Sequence, residues 1–297
     1  MLLALASLFS LAVQDAAQPA PLPKMTPGDV VDNAPASAWA EIDPDHLLIV
    51  DLTGDRRVVV QLNSAFAPEH VANIQRFARN AHWSGAAVYR VQDNYVAQWG
   101  IGDEERPVPA GVVERPAAEY VRPVDGLKVV GLGSSDSYAA AAGFSNGWPV
   151  ALYNDGTASL THCYGAVGVA RGMSPDTGSG SELYAIIGHA PRHLDRNIAI
   201  AGRVIDGIEH LSSLPRGSGA LGFYESDEPK TGIERVVLAS MLVEEPAPRY
   251  EVMRGDSDSF ARYLSVRANR NDDFYRVPAG GVDICNVNIP IREVEAK

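Results

Sequence analysis

The chain has 297 residues, of which 46% are hydrophobic and 21% charged, proportions of a folded globular protein. Its formal net charge is −12 and its pI is near 5.0. This surplus of acid excludes sequence-independent binding to nucleic acid or to an anionic membrane, both of which require a basic surface.

The opening run, MLLALASLFSLA, is apolar but too short to span a bilayer. It fits the apolar region of a secretory leader, and Ser10-Leu11-Ala12 offers small residues for cleavage, although the usual basic start is missing. Residues 1–20 are therefore expected to be a signal peptide, leaving an exported, periplasmic protein with no stable membrane insertion. Residues 21–40, rich in Ala, Pro and Asp, read as a linker. HLLIVDL (46–52) and RVVVQL (57–62) are β-branched runs joined by a hairpin signal, Thr-Gly-Asp. FAPEHVANIQRFARNA follows, with Pro68 suited to a first helical turn and Val71, Ile74, Phe77 and Ala78 on one face.

GAAVYRVQDNYVAQWG (85–100) reads as two half-buried strands around a polar corner. Arg90 and Gln98 would reach one concave face if those strands pair. A polar, Pro-containing stretch (101–127) precedes strand-like runs at 127–133, 148–153, 165–170, 182–187, 198–205 and 233–242. RGMSPDTGSGS (171–181) is a loop, and DGIEHLSSL (206–214) reads as a short helix. After Pro246 the composition changes, and DSDSFARYLSVRANR has a helical capping start. Many short strands and few helices predict a mainly β fold, an antiparallel barrel or sandwich. Cys163 and Cys285 lack the spacing of a zinc or redox motif. In an exported chain an even count suggests a disulfide, with two buried thiols as the alternative.

No covalent chemistry stands out. GLGSSDS (131–137) lacks the βαβ context of a dinucleotide loop. Pro191 lies between His189 and His193, so these two do not share a helix face, and with Asp195 they do not make a metal motif; no metal is expected. His162 and Cys163, neighbours on a strand, would face opposite ways. What remains is a reaction that needs no acid–base pair and no cofactor. Rotation about a prolyl peptide bond is one: its barrier of roughly 18–20 kcal/mol is lost amide resonance. It needs only a donor for the prolyl nitrogen and a dry apolar slot.

FAPEHVANIQRFARNAHWSGAAVYRVQDNYVAQWG resembles the first half of a cyclophilin-type peptidyl-prolyl isomerase, with its A-P-x-x-V-x-N-F, G-x-x-F-H-R-V and F-x-x-Q-G-G motifs. GVARGMSPDTGSGSELYAIIGHAPRHLDRNIAIAGRVIDGIEHLSSLP is similar to the second half, with G-S-Q-F-F-I and L-D-x-x-x-x-x-F-G-x-V. The resemblance covers about residues 46–243. It implies a closed eight-stranded barrel capped by two helices, here spanning 41–246, with a C-terminal extension (247–297) packed on it.

The resemblance also implies a catalytic role for Arg90 and a substrate-backbone role for Gln98. It places Tyr95, Val96, Tyr184 and Leu194 in a proline pocket and Ala170 and Arg171 on the strand beside the peptide. The chain departs from the family pattern at several positions: Glu182 stands for its glutamine, His193 for its pocket-edge aromatic, and Asn197 for the histidine that some members carry a few residues after L-D. Trp99-Gly100 replaces Gly-Gly, and the loop between the two blocks is long. The expected function is isomerisation of X-Pro bonds in unfolded exported proteins, with proline-containing peptides as partners. The alternative is a peptide-binding module or chaperone without turnover.

Overall fold

The structure is a computed structural model and describes residues 24–102 and 104–294. The leader expected over 1–20 lies outside the described residues. In chain order the elements are α1 (Pro27–Asp32), β1 (Trp39–Glu41), β2 (Leu47–Leu52), β3 (Arg56–Leu62), α2 (Pro68–Arg79), β4 (Ala87–Val91) and β5 (Val96–Gly100). Next come β6 (Arg122–Pro123), β7 (Val130–Gly131), β8 (Ala141–Ser145), β9 (Trp148–Leu152) and β10 (Thr157–Leu160). The remainder is β11 (Ala166–Val169), β12 (Glu182–Ile186), β13 (Ile200–Asp206), α3 (Ile208–Ser212), β14 (Thr231–Leu238), β15 (Arg249–Met253), α4 (Asp258–Ala268) and β16 (Ile291–Val294).

Eight strands close into a barrel in the order β11-β12-β5-β4-β14-β2-β3-β13, and every pairing is antiparallel. The β2–β3 hairpin shows why its sequence runs apolar over 47–50 and 58–60 rather than alternating. Leu48, Val50, Leu52, Val58, Val60 and Leu62 face the barrel core. The intervening Leu47, Ile49 and Val59 are equally buried, beneath Ile42, Ala239 and Tyr250. Where the sheet is covered on both faces neither side stays polar, and two exceptions, Asp51 and Arg57, pair with each other across the hairpin. Helix α2 closes the barrel with Val71, Ile74, Phe77 and Ala78, and Leu211 of α3 joins the same core.

The segment between β5 and β11 builds its own sheet, β6-β10-β9-β8-β7. Beside it, β1, β15 and β16 form a third sheet. Val30, Trp39, Phe144, Met253, Phe260 and Leu264 share one core, so the N-terminal arm, the insert and the extension fold as one body. This corrects the linker expected over 21–40: residues 27–41 are helix, turn and strand. Thr26 and Asp29 form a reciprocal capping box that starts α1, and Trp39 pairs with Met253 in the third sheet. Cys163 and Cys285, 122 residues apart, are joined by a disulfide that ties the extension to the start of β11.

Candidate active site

The site forms where β4, β5 and β12 lie side by side. Arg90 opposes Gln98 across β4 and β5, and Gln98 opposes Tyr184 across β5 and β12. In β4 the register shifts, so Val88 opposes Trp99 while Arg90 opposes Gln98. Tyr89 is the extra residue of this bulge. A regular strand would turn adjacent side chains to opposite faces; a bulge re-aims one of them. As a result both Tyr89 and Arg90 reach Gln98.

Arg90 is held on three sides. Nη1 donates to Gln98 Oε1 at 2.9 Å, Nη2 to Gln92 Oε1 at 2.7 Å, and Nε to the Leu221 carbonyl at 2.8 Å. Its guanidinium carbon also lies 5.3 Å from the Phe223 ring centre and 5.8 Å from that of Tyr95. None of its hydrogen-bond acceptors is a carboxylate, so the charge is oriented without being neutralised. Half-burial pushes its pKa down from the usual arginine value.

The loop that supplies Leu221 runs along β4. Tyr224 N donates to Tyr89 O, Gly217 N to Val91 O, and Phe223 bridges to Arg90. Gly222 is required there by space: a Cβ would lie 2.6 Å from Gln92 Cα.

Gln98 links Arg90 to a second acceptor. Its Nε2 donates to the Tyr89 hydroxyl, which in turn donates to Glu182 Oε1, each at 2.5 Å. Burial, then the adjacent carboxylate, raises the Tyr89 pKa, so the phenol stays a donor. Glu182, a departure from the family pattern, thus has a partner that is itself a departure, since the family motif has His at the place of Tyr89.

On β12, across from Gln98, Tyr184 is 5% exposed and stacks on His162 with ring centres 6.3 Å apart. Its hydroxyl lies 3.0 Å from His162 Nε2, and His162 Nδ1 lies 2.9 Å from Asp195 Oδ1. Asp195 also accepts from the His162 backbone N–H and from Arg192 Nε. Arg192 continues the chain to Asp136 of the insert, at 2.9 and 3.1 Å. Desolvation lowers the His162 pKa. A neutral ring with Nδ1–H toward Asp195 and Nε2 accepting from Tyr184 satisfies every contact. Gly168 leaves room for Tyr184: a Cβ there would lie 2.2 Å from the phenol oxygen.

The remaining sequence-derived residues distribute as follows. Tyr95, Val96, Tyr184 and Ala170 share one apolar cluster. His193 is exposed and parallel to Tyr95 at 6.5 Å between ring centres. Leu194 ends the 3-10 turn Arg192–Leu194 and is half-buried. Ala170 N bonds to Glu182 O. Arg171 turns to the Asn197 carbonyl, and Asn197 spends its amide on His193 O and Asp195 O within its own turn. Ala170, Arg171 and Glu182 border a cavity of about 780 Å³ that also meets Glu104, Glu105 and Glu114. Sequence reasoning missed Tyr89, His162, Arg192 and the Leu221–Phe223 loop. Only the L-D pair carrying Asp195 was visible, and there as a motif without a partner.

A solved cyclophilin, AquaCyp293 from Hirschia baltica, has a similar fold, with a TM-score of 0.70 at 24% identity over 92% of this chain and 99% of its own. Proteins named probable peptidyl-prolyl cis-trans isomerase from Brucella suis and Brucella melitensis are each 26% identical over 60% of this chain and 76% of theirs. Residues 48–237 match the family described as cyclophilin type peptidyl-prolyl cis-trans isomerase/CLD, a span that runs from within β2 to within β14 and so takes in all eight barrel strands. The chain therefore belongs to the cyclophilin-type peptidyl-prolyl cis-trans isomerase family.

Proposed function

We propose that this protein isomerises X-Pro bonds of exported proteins, with Arg90 stabilising the twisted amide. The observation that carries this reading is the Arg90 guanidinium, fixed by three neutral acceptors beside Tyr95, one of them Gln98, which opposes buried Tyr184 across β5 and β12. A guanidinium has five N–H donors. Three are spent on Leu221, Gln92 and Gln98, which leaves two for substrate. As the amide twists, its nitrogen lone pair localises and becomes a hydrogen-bond acceptor. A donor already in position there lowers the barrier without reorganising at the moment of reaction. Tyr95, Val96 and Tyr184 provide the apolar slot for the proline ring.

One observation favours a second reading, a peptide-binding module without turnover. The Gln98 amide nitrogen is engaged by Tyr89 rather than free for a substrate backbone. Exchange NMR on a panel of X-Pro peptides separates the two: catalysed exchange supports the enzyme, and saturable binding without exchange supports the module.

Export is supported by the apolar leader, its small-residue site at Ser10-Leu11-Ala12, and the disulfide, since such bonds persist in oxidising compartments. Mass analysis of protein from its native host is expected to show a mature start after about residue 12–20. An intact Met1 in a cytoplasmic fraction contradicts export.

A further inference from the structure

A cavity of about 370 Å³ lies between the outer wall of the barrel and the C-terminal extension. Its floor includes Ala166, Ile200 and Val204, and its roof is Ile284, Val287 and Ile289. The Cys163–Cys285 disulfide forms part of the wall, so the roof is tied covalently to the floor. Neither Arg90, Gln98, Tyr95 nor Tyr184 lines it.

Among the described residues that line this space, one carries a charge: Arg203. It lies over Trp148 at 4.2 Å. Its Nε and Nη2 donate to Gln61 Oε1 at 3.0 and 2.8 Å, and Nη1 donates to the Gly147 carbonyl at 2.7 Å. Both acceptors are neutral. Arg57, Arg192, Arg235 and Arg249, by contrast, each meet a carboxylate, and Arg203 shares its lack of one with Arg90 of the prolyl site. Desolvation of the part-buried Arg203 cation, with no carboxylate among its hydrogen-bond partners, pushes its pKa down to about 9. With three N–H groups used, two of the five remain for a further acceptor.

A guanidinium held in place without an anion, at the edge of an apolar space, selects for two properties at once. The charge selects a carboxylate, which it can engage through two parallel hydrogen bonds. The isoleucine and valine walls select an apolar body. The volume lies in the range of small-molecule sites, roughly 300–1,000 Å³, which combine apolar linings with a few fixed polar groups. We propose that this cavity is a second ligand site, independent of the prolyl site, which takes a small carboxylate on an apolar body, the carboxylate on Arg203. A free fatty acid and the C-terminus of an apolar peptide carry the same chemistry.

The test is isothermal titration of the oxidised full chain with octanoate, 1-octanol, octylamine, and N-acetyl-Leu-Leu as free acid and as amide. Octanoate is expected to bind saturably at one site, with octanol weaker by about 10- to 150-fold, the range of one charge-assisted hydrogen bond, and octylamine not binding. Tighter binding of the peptide acid than of octanoate identifies a peptide terminus as the source; the reverse order identifies a fatty acid. Arg203→Met is expected to weaken octanoate by the same factor while isomerase activity persists, and Arg203→Lys to restore part of it. Ile289→Trp fills the space from the roof with Arg203 intact, and is expected to abolish binding even if Arg203→Met fails to fold. Absence of saturable octanoate binding, octanol binding as tightly as octanoate, or undiminished binding in Ile289→Trp overturns the proposal.

Discussion

At the residue scale, Arg90 contributes orientation and charge rather than packing. Its acceptors are two glutamine side chains and one carbonyl, none in the barrel core. Arg90→Ala is therefore expected to leave the fold intact and to slow turnover by roughly 10- to 150-fold, the loss of one hydrogen bond to a charged donor at about 1.5–3 kcal/mol. The loss belongs in kcat/KM with proline peptides, with ground-state peptide binding changed less. Arg90→Lys restores only part, because an ammonium cannot hold three acceptors in one plane. Full activity in Arg90→Ala places the chemistry elsewhere. His162 makes a separate prediction. Its folded pKa is depressed, chiefly by burial, so the unfolded chain takes up a proton on this ring at higher pH than the native one does. Its contribution to stability is complete above the unfolded value of about 6.5 and is lost as pH falls through the lower folded value. Urea midpoints measured from pH 8 down to 5 are expected to fall below about pH 6.5, and less steeply in His162→Gln. Equal slopes in the two proteins remove His162 from the account.

At the element scale, the β4 bulge and the β11–β12 pairing decide what reaches the pocket. Gly168 opposes Tyr184 in the ladder, and the phenol lies over it. Tyr184 cannot swing aside without losing His162, which is itself held by Asp195. Gly168→Ala is thus expected to cost about 1–3 kcal/mol by overpacking and to lower isomerase activity, since the ring proposed to line the proline slot must move. Unchanged activity with unchanged stability contradicts this close approach. The same elements show what the sequence could reveal. The β2–β3 hairpin and α2 were legible because β-branched runs and an apolar stripe repeat at the spacing of their elements. The bulge was not: AVYRV reads as a regular strand, so Tyr89 was assigned no part beside Arg90. Within the insert, β8 is AAGFS and β10 is TASL, small residues with little strand propensity. The Asn146-Gly147 turn between β8 and β9, both residues at positive φ, was the available hairpin signal. The family resemblance located Arg90, Gln98 and Tyr184, but not His162 or Arg192, which act by supporting a pocket residue from behind.

At the scale of the whole molecule, two bodies meet: a barrel with its own core, and a second body made from the N-terminal arm, the insert and the extension. The second body was the least legible part, because its core draws on Val30, Phe144, Phe260 and Ile284, residues far apart in the chain. Such long-range burial leaves no local period, and the Pro- and Ala-rich start disguised α1 as linker. The disulfide joins the two ends of this problem, closing a separation of 122 residues between the barrel wall and the extension. In the chain-entropy model a loop of that length stabilises by roughly 3–5 kcal/mol. The double substitution Cys163→Ala, Cys285→Ala is expected to lose up to that amount, read as a lower urea midpoint. The loss should be uneven. The extension between Ile284 and Ile291 faces the barrel across a cavity, and its buried side chains, Ile284 and Val287, belong to the core of the second body rather than to that of the barrel. The β2–β3 ladder keeps its inner face in the barrel core. Hydrogen exchange of the double variant is therefore expected to quicken most across 282–291 and α4, and least in β2 and β3, with isomerase activity retained. Equal acceleration in the barrel strands would show that the extension and barrel unfold as one unit, with the disulfide stabilising both.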